Sequence, residues 1–312
     1  MGELISCLCV SQPHRYGQLQ RTILSFSTQT YDEKELIIVV DNAGDYVSLV
    51  QSFVDRARVE AGIRGMHVIA RPAKSQAEGL AFAAIHASGE VLTLWDDDCI
   101  NLPDRLKKQM QVQAAYPEAV TVYGSGMYAF WETSELFVLG EDANPNSTIA
   151  DRTLPSSLMA FRRYFPTLEP NIRSKPAEMM LINTVRAGRK VQPLASDVLQ
   201  HIVGVTNNNL RGYEYHRQIA QKRARSASWL AAQKETLTTL LSSVPWDTTM
   251  HVEGSDGGAY DFTPTWVWPG TLHPINLAVP KVEGSFQGGR AVSEKPQKVS
   301  GSSVTGSSQK TA

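Results

Sequence analysis

The sequence predicts an α/β fold: a mostly parallel sheet flanked by helices. Three observations carry this reading. Short apolar runs at residues 4–10, 36–40 and 91–95 have the length and composition of buried strands. Helical patterns separate them, which makes neighbouring strands parallel with right-handed crossovers. Two of the runs end abruptly in carboxylates, Asp41 after the second and Asp96, Asp97 and Asp98 after the third. In open α/β sheets ligands bind at the carboxyl ends of strands, so both acids fall on the expected functional edge.

The elements follow in order. Residues 4–10 lead through the polar turn Ser11-Gln12-Pro13-His14-Arg15 into residues 16–27, where Leu19, Ile23, Leu24 and Phe26 recur at helical period. After the strand at 36–40, residues 46–61 predict a second helix, 66–70 a third strand and 77–87 a helix of small residues. Ser88-Gly89-Glu90 turns into the acid-tipped strand, and Leu102-Pro103-Asp104 opens a helix through residue 115 carrying Arg105, Lys107 and Lys108. Residues 120–123 and 135–139 read as strands, 141–153 as a loop, and 156–165 as an apolar segment ending in Arg162 and Arg163. Residues 178–187 form a helix stopped by Gly188, and the apolar segments 191–194 and 198–203 follow, the second containing His201. Residues 213–241 read as one helix, with the basic cluster Lys222, Arg223 and Arg225 on a solvated face. Residues 252–280 are rich in Gly, Pro and Trp, with Trp266 and Trp268 spaced as on one face of a strand, and from residue 284 the composition predicts disorder. The expected organisation is a catalytic domain over 1–209, an extension over 210–283 and a tail over 284–312.

Composition bounds the partners. With 30 basic and 31 acidic residues the net charge is -1, so no chain-wide attraction to nucleic acid or membrane exists. The basic residues near the start of the 213–241 pattern are the local patch that could meet a phosphate. Cys7, Cys9 and Cys99 form a sparse, odd set that suits a reducing compartment and reads as buried core thiols. The start of the chain has no basic leader, and no apolar run is long enough to span a bilayer. The expected location is cytoplasmic, with peripheral membrane docking open.

Three consecutive carboxylates at a strand tip repel one another, and a cation offsets that charge. Oxygen ligands alone point to a hard ion, Mg²⁺ or Mn²⁺, of the kind that also holds a diphosphate. The competing reading is a solvated acidic turn with Asp98 capping the following helix.

In these segments the chain resembles the GT-A nucleotide-diphosphosugar transferases, specifically family 2 of the inverting glycosyltransferases. Ser11 to Arg15 with Ser25-Phe26-Ser27-Thr28-Gln29-Thr30-Tyr31 resembles the family's opening loop and helix end. Ile37-Ile38-Val39-Val40-Asp41-Asn42 resembles its second strand, and Gly89-Glu90 with Leu94-Trp95-Asp96-Asp97-Asp98 its acid motif. Ser156-Ser157-Leu158-Met159 with Arg162-Arg163 resembles its acceptor-side segment.

The resemblance implies roles. Asp41 would bind the base, with Ser11 and Arg15 lining the nucleotide pocket and Asp97 alongside. Asp96 and Asp98 would hold the ribose and the divalent ion, and His201 would add a ligand to the metal or diphosphate. Glu178 would be the general base that deprotonates an acceptor hydroxyl. The donor would be a nucleoside diphosphate sugar, with a UDP-sugar expected, and the acceptor a glycan, a lipid-linked sugar, a protein or a nucleic acid base. Leu80-Ala81 departs from the family's Arg-Asn, and Ala177-Glu178-Met179 keeps one acid where a Glu-Asp pair is usual. A non-catalytic carbohydrate-binding or assembly protein on the same fold is the alternative that these departures support. A nucleotidyltransferase would need a Gly-rich N-terminal loop, which residues 11–15 lack.

Overall fold

The first half of the chain alternates strand and helix: β1 (Ile5–Ser11), α1 (Tyr16–Ser27), β2 (Lys34–Val40), α2 (Tyr46–Glu60), β3 (Met66–Ala70), α3 (Gln76–His86) and β4 (Val91–Leu94). Then come β5 (Cys99–Asn101), α4 (Arg105–Ala115), β6 (Val120–Tyr123), β7 (Gly126–Phe130), β8 (Glu135–Leu139), α5 (Ile149–Arg152) and β9 (Leu154–Phe161). The remainder supplies α6 (Pro176–Arg186), β10 (Val191–Leu194), β11 (His201–Val205), α7 (Tyr213–Arg223), α8 (Ala227–Leu241), β12 (Met250–Glu253) and β13 (Ala259–Phe262). This computed structural model describes residues 2–41, 44–72, 75–140, 146–166, 176–195, 197–206, 213–246 and 248–272. The expected tail at 284–312, the boundary at 209 and residues 141–145 of the loop expected at 141–153 lie outside the described residues.

The strands form a seven-stranded sheet in the order β10-β6-β9-β4-β1-β2-β3 and a six-stranded sheet in the order β13-β12-β8-β7-β11-β5. In the first, β1 pairs in parallel with both β2 and β4, as the strand-helix-strand spacing predicts. The carboxyl ends of β2 and β4 therefore flank that of β1, bringing Asp41 and the acid cluster to one edge. β9 runs antiparallel between β4 and β6. Such a strand reverses the chain direction beside the acid-tipped strand, so its start, not its end, lies at the functional edge.

Each sheet is covered by what its sequence buries. Leu19, Ile23, Leu24 and Phe26 of α1 pack with Ile5, Cys7, Cys9, Ile38 and Val40 on one face of the first sheet. Leu80 and Ala83 of α3 join Met180 and Leu181 of α6 on the other face. Cys7 and Cys9 alternate onto one side of β1, both fully buried and both free thiols, as core residues.

Several readings of the sequence change. Residues 126–130, passed over as connection, form a strand, because β7 pairs antiparallel with β8 and parallel with β11. The loop expected at 141–153 contains the short helix α5, started by a reciprocal capping box between Thr148 and Asp151. The single helix expected over 213–241 is two, broken at residues 224–226. There the backbone pairs with β8 instead: the amides of Gly140 and Arg225 donate to the carbonyls of Arg223 and Val138, and Ser226 caps α8. Arg223, expected on a solvated face, is 4% exposed and donates to the carbonyls of Gly124, Gly140 and Asp151. The extension is continuous with the second sheet, since β12 pairs in parallel with β8, and Leu230, Leu237 and Leu241 of α8 share a core with Leu136 and Val138. Trp266 and Trp268 lie outside any strand and meet edge to face, with centroids 6.4 Å apart.

Candidate functional site

The acid cluster is a braced turn. Beneath it Trp95 is fully buried, edge-on to Phe26, and its backbone amide donates to the Leu8 carbonyl at 2.9 Å. The Cys99 amide closes the turn onto the Asp96 carbonyl at 3.1 Å, and the Thr22 hydroxyl donates to the carbonyls of Asp97 and Cys99. From the second sheet the Gly204 amide donates to the Asp98 carbonyl at 2.8 Å. A Cβ at Gly204 would lie 2.3 Å from that oxygen, so only glycine permits this approach. The turn is thus held on three sides before any ligand arrives.

The three carboxylates part ways. Asp97 is 3% exposed and turned toward Arg15, whose Nη1 lies 3.0 Å from it, and toward the Ser11 hydroxyl. Asp96 and Asp98 face a cleft of about 140 Å³, although Asp98 also takes the Arg15 guanidinium at 2.6 Å. Burial and the charges of its neighbours push Asp96 up to about 8, and burial pushes Asp97 up despite Arg15. Arg15 is held above its ordinary range by the same two carboxylates, Asp97 and Asp98. One guanidinium touches two of three neighbouring acids, Oδ2 of Asp97 is buried without a hydrogen bond, and the donor atoms of Asp96, Asp98 and Cys99 lie within 4.8 Å of one another. This set fits a divalent cation: it is short of positive charge, and it converges from one turn. The Cys99 sulfur closes this group as the buried core thiol the sequence predicts, its hydrogen turned toward Oδ1 of Asp98 at 3.5 Å.

His201 lies in the core behind the cleft. It is fully buried on β11, its Nδ1 lies 2.7 Å from Oδ1 of Asn101, and its Nε2 lies 2.7 Å from the Ser156 hydroxyl. Both ring nitrogens are occupied, and His201 is not part of the converging group. The apolar strand that made it conspicuous also turns it into the core.

Arg105 emerges as a group that the sequence showed only as one of three basic residues on a helix, beside Lys107 and Lys108. It is fully buried under the acid turn, stacks 4.6 Å over Trp95, and donates to Asn101 Oδ1, the Leu94 carbonyl and Thr93. Its charge favours the ionised form of Asp96.

Across the cleft stands Glu178, in the first turn of α6. Met180, Leu181 and Thr184 anchor this helix in the core, and Glu178 lines the opening. The remaining wall comes from Ser156 of β9 and from Tyr215, His216 and Ile219 of α7. Tyr128 packs edge-on to His216 at 5.4 Å. Asp41 follows β2 outside the lining of this cleft, its amide donating to the Ser11 carbonyl at 3.3 Å, and the Ser11 hydroxyl meets Tyr46 at 2.8 Å.

Residues 14–168 match the family model described as glycosyl transferase family 2. The chain carries a family 2 glycosyltransferase domain. Among solved structures, the mannosyltransferase PcManGT from Pyrobaculum calidifontis, in complex with GDP-Man and Mn²⁺, is similar with a TM-score of 0.50 at 13% identity. That match covers 76% of this chain and 65% of the mannosyltransferase. TarS 1-349 of S. aureus is similar at 12% identity with a TM-score of 0.48, over 78% of this chain and 67% of that one. The chain therefore spans about two thirds of the length of these structures. At such identities the likeness is one of fold, and the GT-A architecture that the resemblance implies is the architecture observed. The glycosyltransferase domain is an enzyme domain, and no helix among the described residues is long and apolar enough to cross a membrane.

Proposed function

We propose that this glycosyltransferase moves a sugar from a nucleoside diphosphate sugar, a UDP-sugar first among them, to an acceptor hydroxyl with inversion. The observation that carries the reading is one cleft with Asp96, Asp98 and Arg15 on one wall and Glu178 on another. Asp96 and Asp98 would hold Mn²⁺ or Mg²⁺, and such an ion supplies positive charge against the negative charge that develops on the leaving diphosphate. The PcManGT complex with GDP-Man and Mn²⁺ supports this pairing of donor and ion. Arg15 keeps Asp97 and Asp98 in place and adds its own charge at the diphosphate side. Asp41 and Ser11 serve the nucleoside, beyond the end of the cleft.

Glu178 accepts the proton of the acceptor hydroxyl as that oxygen attacks the anomeric carbon. The bond to the diphosphate breaks on the opposite face, so the product has the inverted configuration. No covalent enzyme intermediate is required. We assign the donor side to residues 1–209, and to residues 210–283 an acceptor wall built on α7, through Tyr215, His216 and Ile219. The acceptor classes compatible with such a wall are a glycan, a lipid-linked sugar and a protein side chain.

The test is calorimetric titration of UDP, GDP, CDP and TDP with and without Mn²⁺, followed by product analysis with the sugar conjugate of the one that binds. Metal-dependent binding of one nucleotide and an inverted product are expected. Metal-independent binding, or a retained anomeric configuration, overturns the assignment.

A further inference from the structure

The cleft contains one hydroxyl whose hydrogen-bonding direction is dictated by buried groups behind it. Ser156 lines the cleft with Asp96 and Asp98. The antiparallel register of β4 with β9 pairs Thr93 with Met159, and continued by three residues it brings Ser156 alongside Asp96. The Ser156 oxygen lies 2.7 Å from Nε2 of His201. The other ring nitrogen faces Oδ1 of Asn101 at 2.7 Å, and that same oxygen takes Nη1 of Arg105 at 2.7 Å.

The protons along this chain have one consistent arrangement. A guanidinium only donates, so Asn101 must turn its oxygen to Arg105. That oxygen accepts, so the imidazole hydrogen sits on Nδ1. Burial and the nearby Arg105 charge hold His201 well below its ordinary range, which keeps the ring neutral. A neutral ring protonated on Nδ1 leaves Nε2 bare, and the Ser156 hydroxyl hydrogen goes there. The Cys99 thiol, the other buried neighbour, points its hydrogen at Asp98 Oδ1 at 3.5 Å. Ser156 therefore turns only lone pairs toward the cleft.

We propose that Ser156 is a specificity-determining residue, a hydrogen-bond acceptor for a hydroxyl of the transferred sugar, with Arg105, Asn101 and His201 as positioning residues that fix its direction. This rests on the glycosyl-transfer reading. Diphosphate oxygens are acceptors, and so are the carboxylates of Asp96 and Asp98 once an ion has displaced the Asp96 proton, so none of them partners this oxygen in the loaded site. Sugar hydroxyls are the donors that a nucleotide sugar brings past the acid turn. His201 then acts through Ser156 and not on the ion.

The experiment compares UDP and GDP with UDP-glucose, UDP-N-acetylglucosamine and GDP-mannose on the full chain in Mn²⁺, for wild type and Ser156→Ala. The variant should lose roughly 3- to 10-fold in affinity for the sugar conjugate that binds, as one hydrogen bond is worth. Its affinity for the matching nucleoside diphosphate should stay within about 2-fold, since no bond to that part is removed. Equal losses for both ligands, or no loss for either, overturn this proposal and leave the glycosyl-transfer reading standing. Failure of every nucleotide to bind the wild type overturns both. ¹⁵N NMR of the imidazoles, assigned with His201→Gln, reads the direction independently. A protonated Nδ1 and bare Nε2, unchanged between mildly acidic and mildly basic pH, are expected, and the opposite tautomer or a titrating ring refutes the chain of protons.

Discussion

Asp96→Asn is expected to make the metal-free protein more stable while removing its response to divalent ions. In the fold this carboxyl is pushed from 3.8 up to about 8, by burial first and then by Asp98 and Asp97, with Arg15 and Arg105 offsetting only part. The folded state then binds a proton that the unfolded chain has released. Stability from this group therefore falls as pH rises from 3.8 toward 8. At about 1.36 kcal/mol for each pH unit, the cost at neutral pH is bounded by roughly 4 kcal/mol. Proton sharing among the three neighbouring carboxyls lowers the expectation to about 1–3 kcal/mol. Asparagine keeps the shape and removes the charge. Thermal melts in EDTA should show a gain of about 2–4 °C per kcal/mol, largest near pH 8 and absent near pH 4. Saturating Mn²⁺ should raise the wild-type melting temperature and leave that of the variant unchanged. A metal-free variant that melts at or below wild type near pH 8 would refute the reasoning, because the repulsion it removes would then not exist.

Other substitutions probe the remaining parts. Arg15→Met strips the cation from two nearly buried carboxylates, at 3.0 and 2.6 Å, and should cost about 3–5 kcal/mol in metal-free denaturant melts, with part of the loss restored by Mn²⁺. Glu178→Gln should lower kcat by roughly 10²- to 10⁴-fold with nucleotide affinity unchanged, and steady-state kinetics beside calorimetry separates the two. Gly204→Ala drives a Cβ against the Asp98 carbonyl at 2.3 Å and Trp131 Nε1 at 2.8 Å, so a loss of about 1–3 kcal/mol should accompany weaker Mn²⁺ binding. Metal affinity measured by titration should rise with pH up to about 8, because Asp96 must release its proton to bind an ion.

The order and spacing of apolar runs determined the first sheet. Helix and strand over residues 16–27 and 120–123 fall where the apolar pattern puts them, because each buries a continuous stripe in its own short segment. The acid-tipped strand was legible for the same reason: a buried run ending in charge has few structural outcomes. Tertiary structure alone decided which of those charges face the cleft, since the alternation of Asp96, Asp97 and Asp98 depends on Arg15, a residue far away in the chain, taking the middle one inward. It also decided that Arg105 and Arg223 are buried, because an arginine pattern looks solvated until distant carbonyls converge on it. The break between α7 and α8 came from the last residues of β8, which run past the pairing with β12 and take up residues 223–225 instead, and no local propensity records that. His201 shows the division most plainly: its residue type and apolar setting were visible in the chain, but its partners Asn101 and Ser156 lie 100 and 45 residues away. A histidine's chemistry is set by what meets its two nitrogens, and only the packing of two sheets brings those groups together.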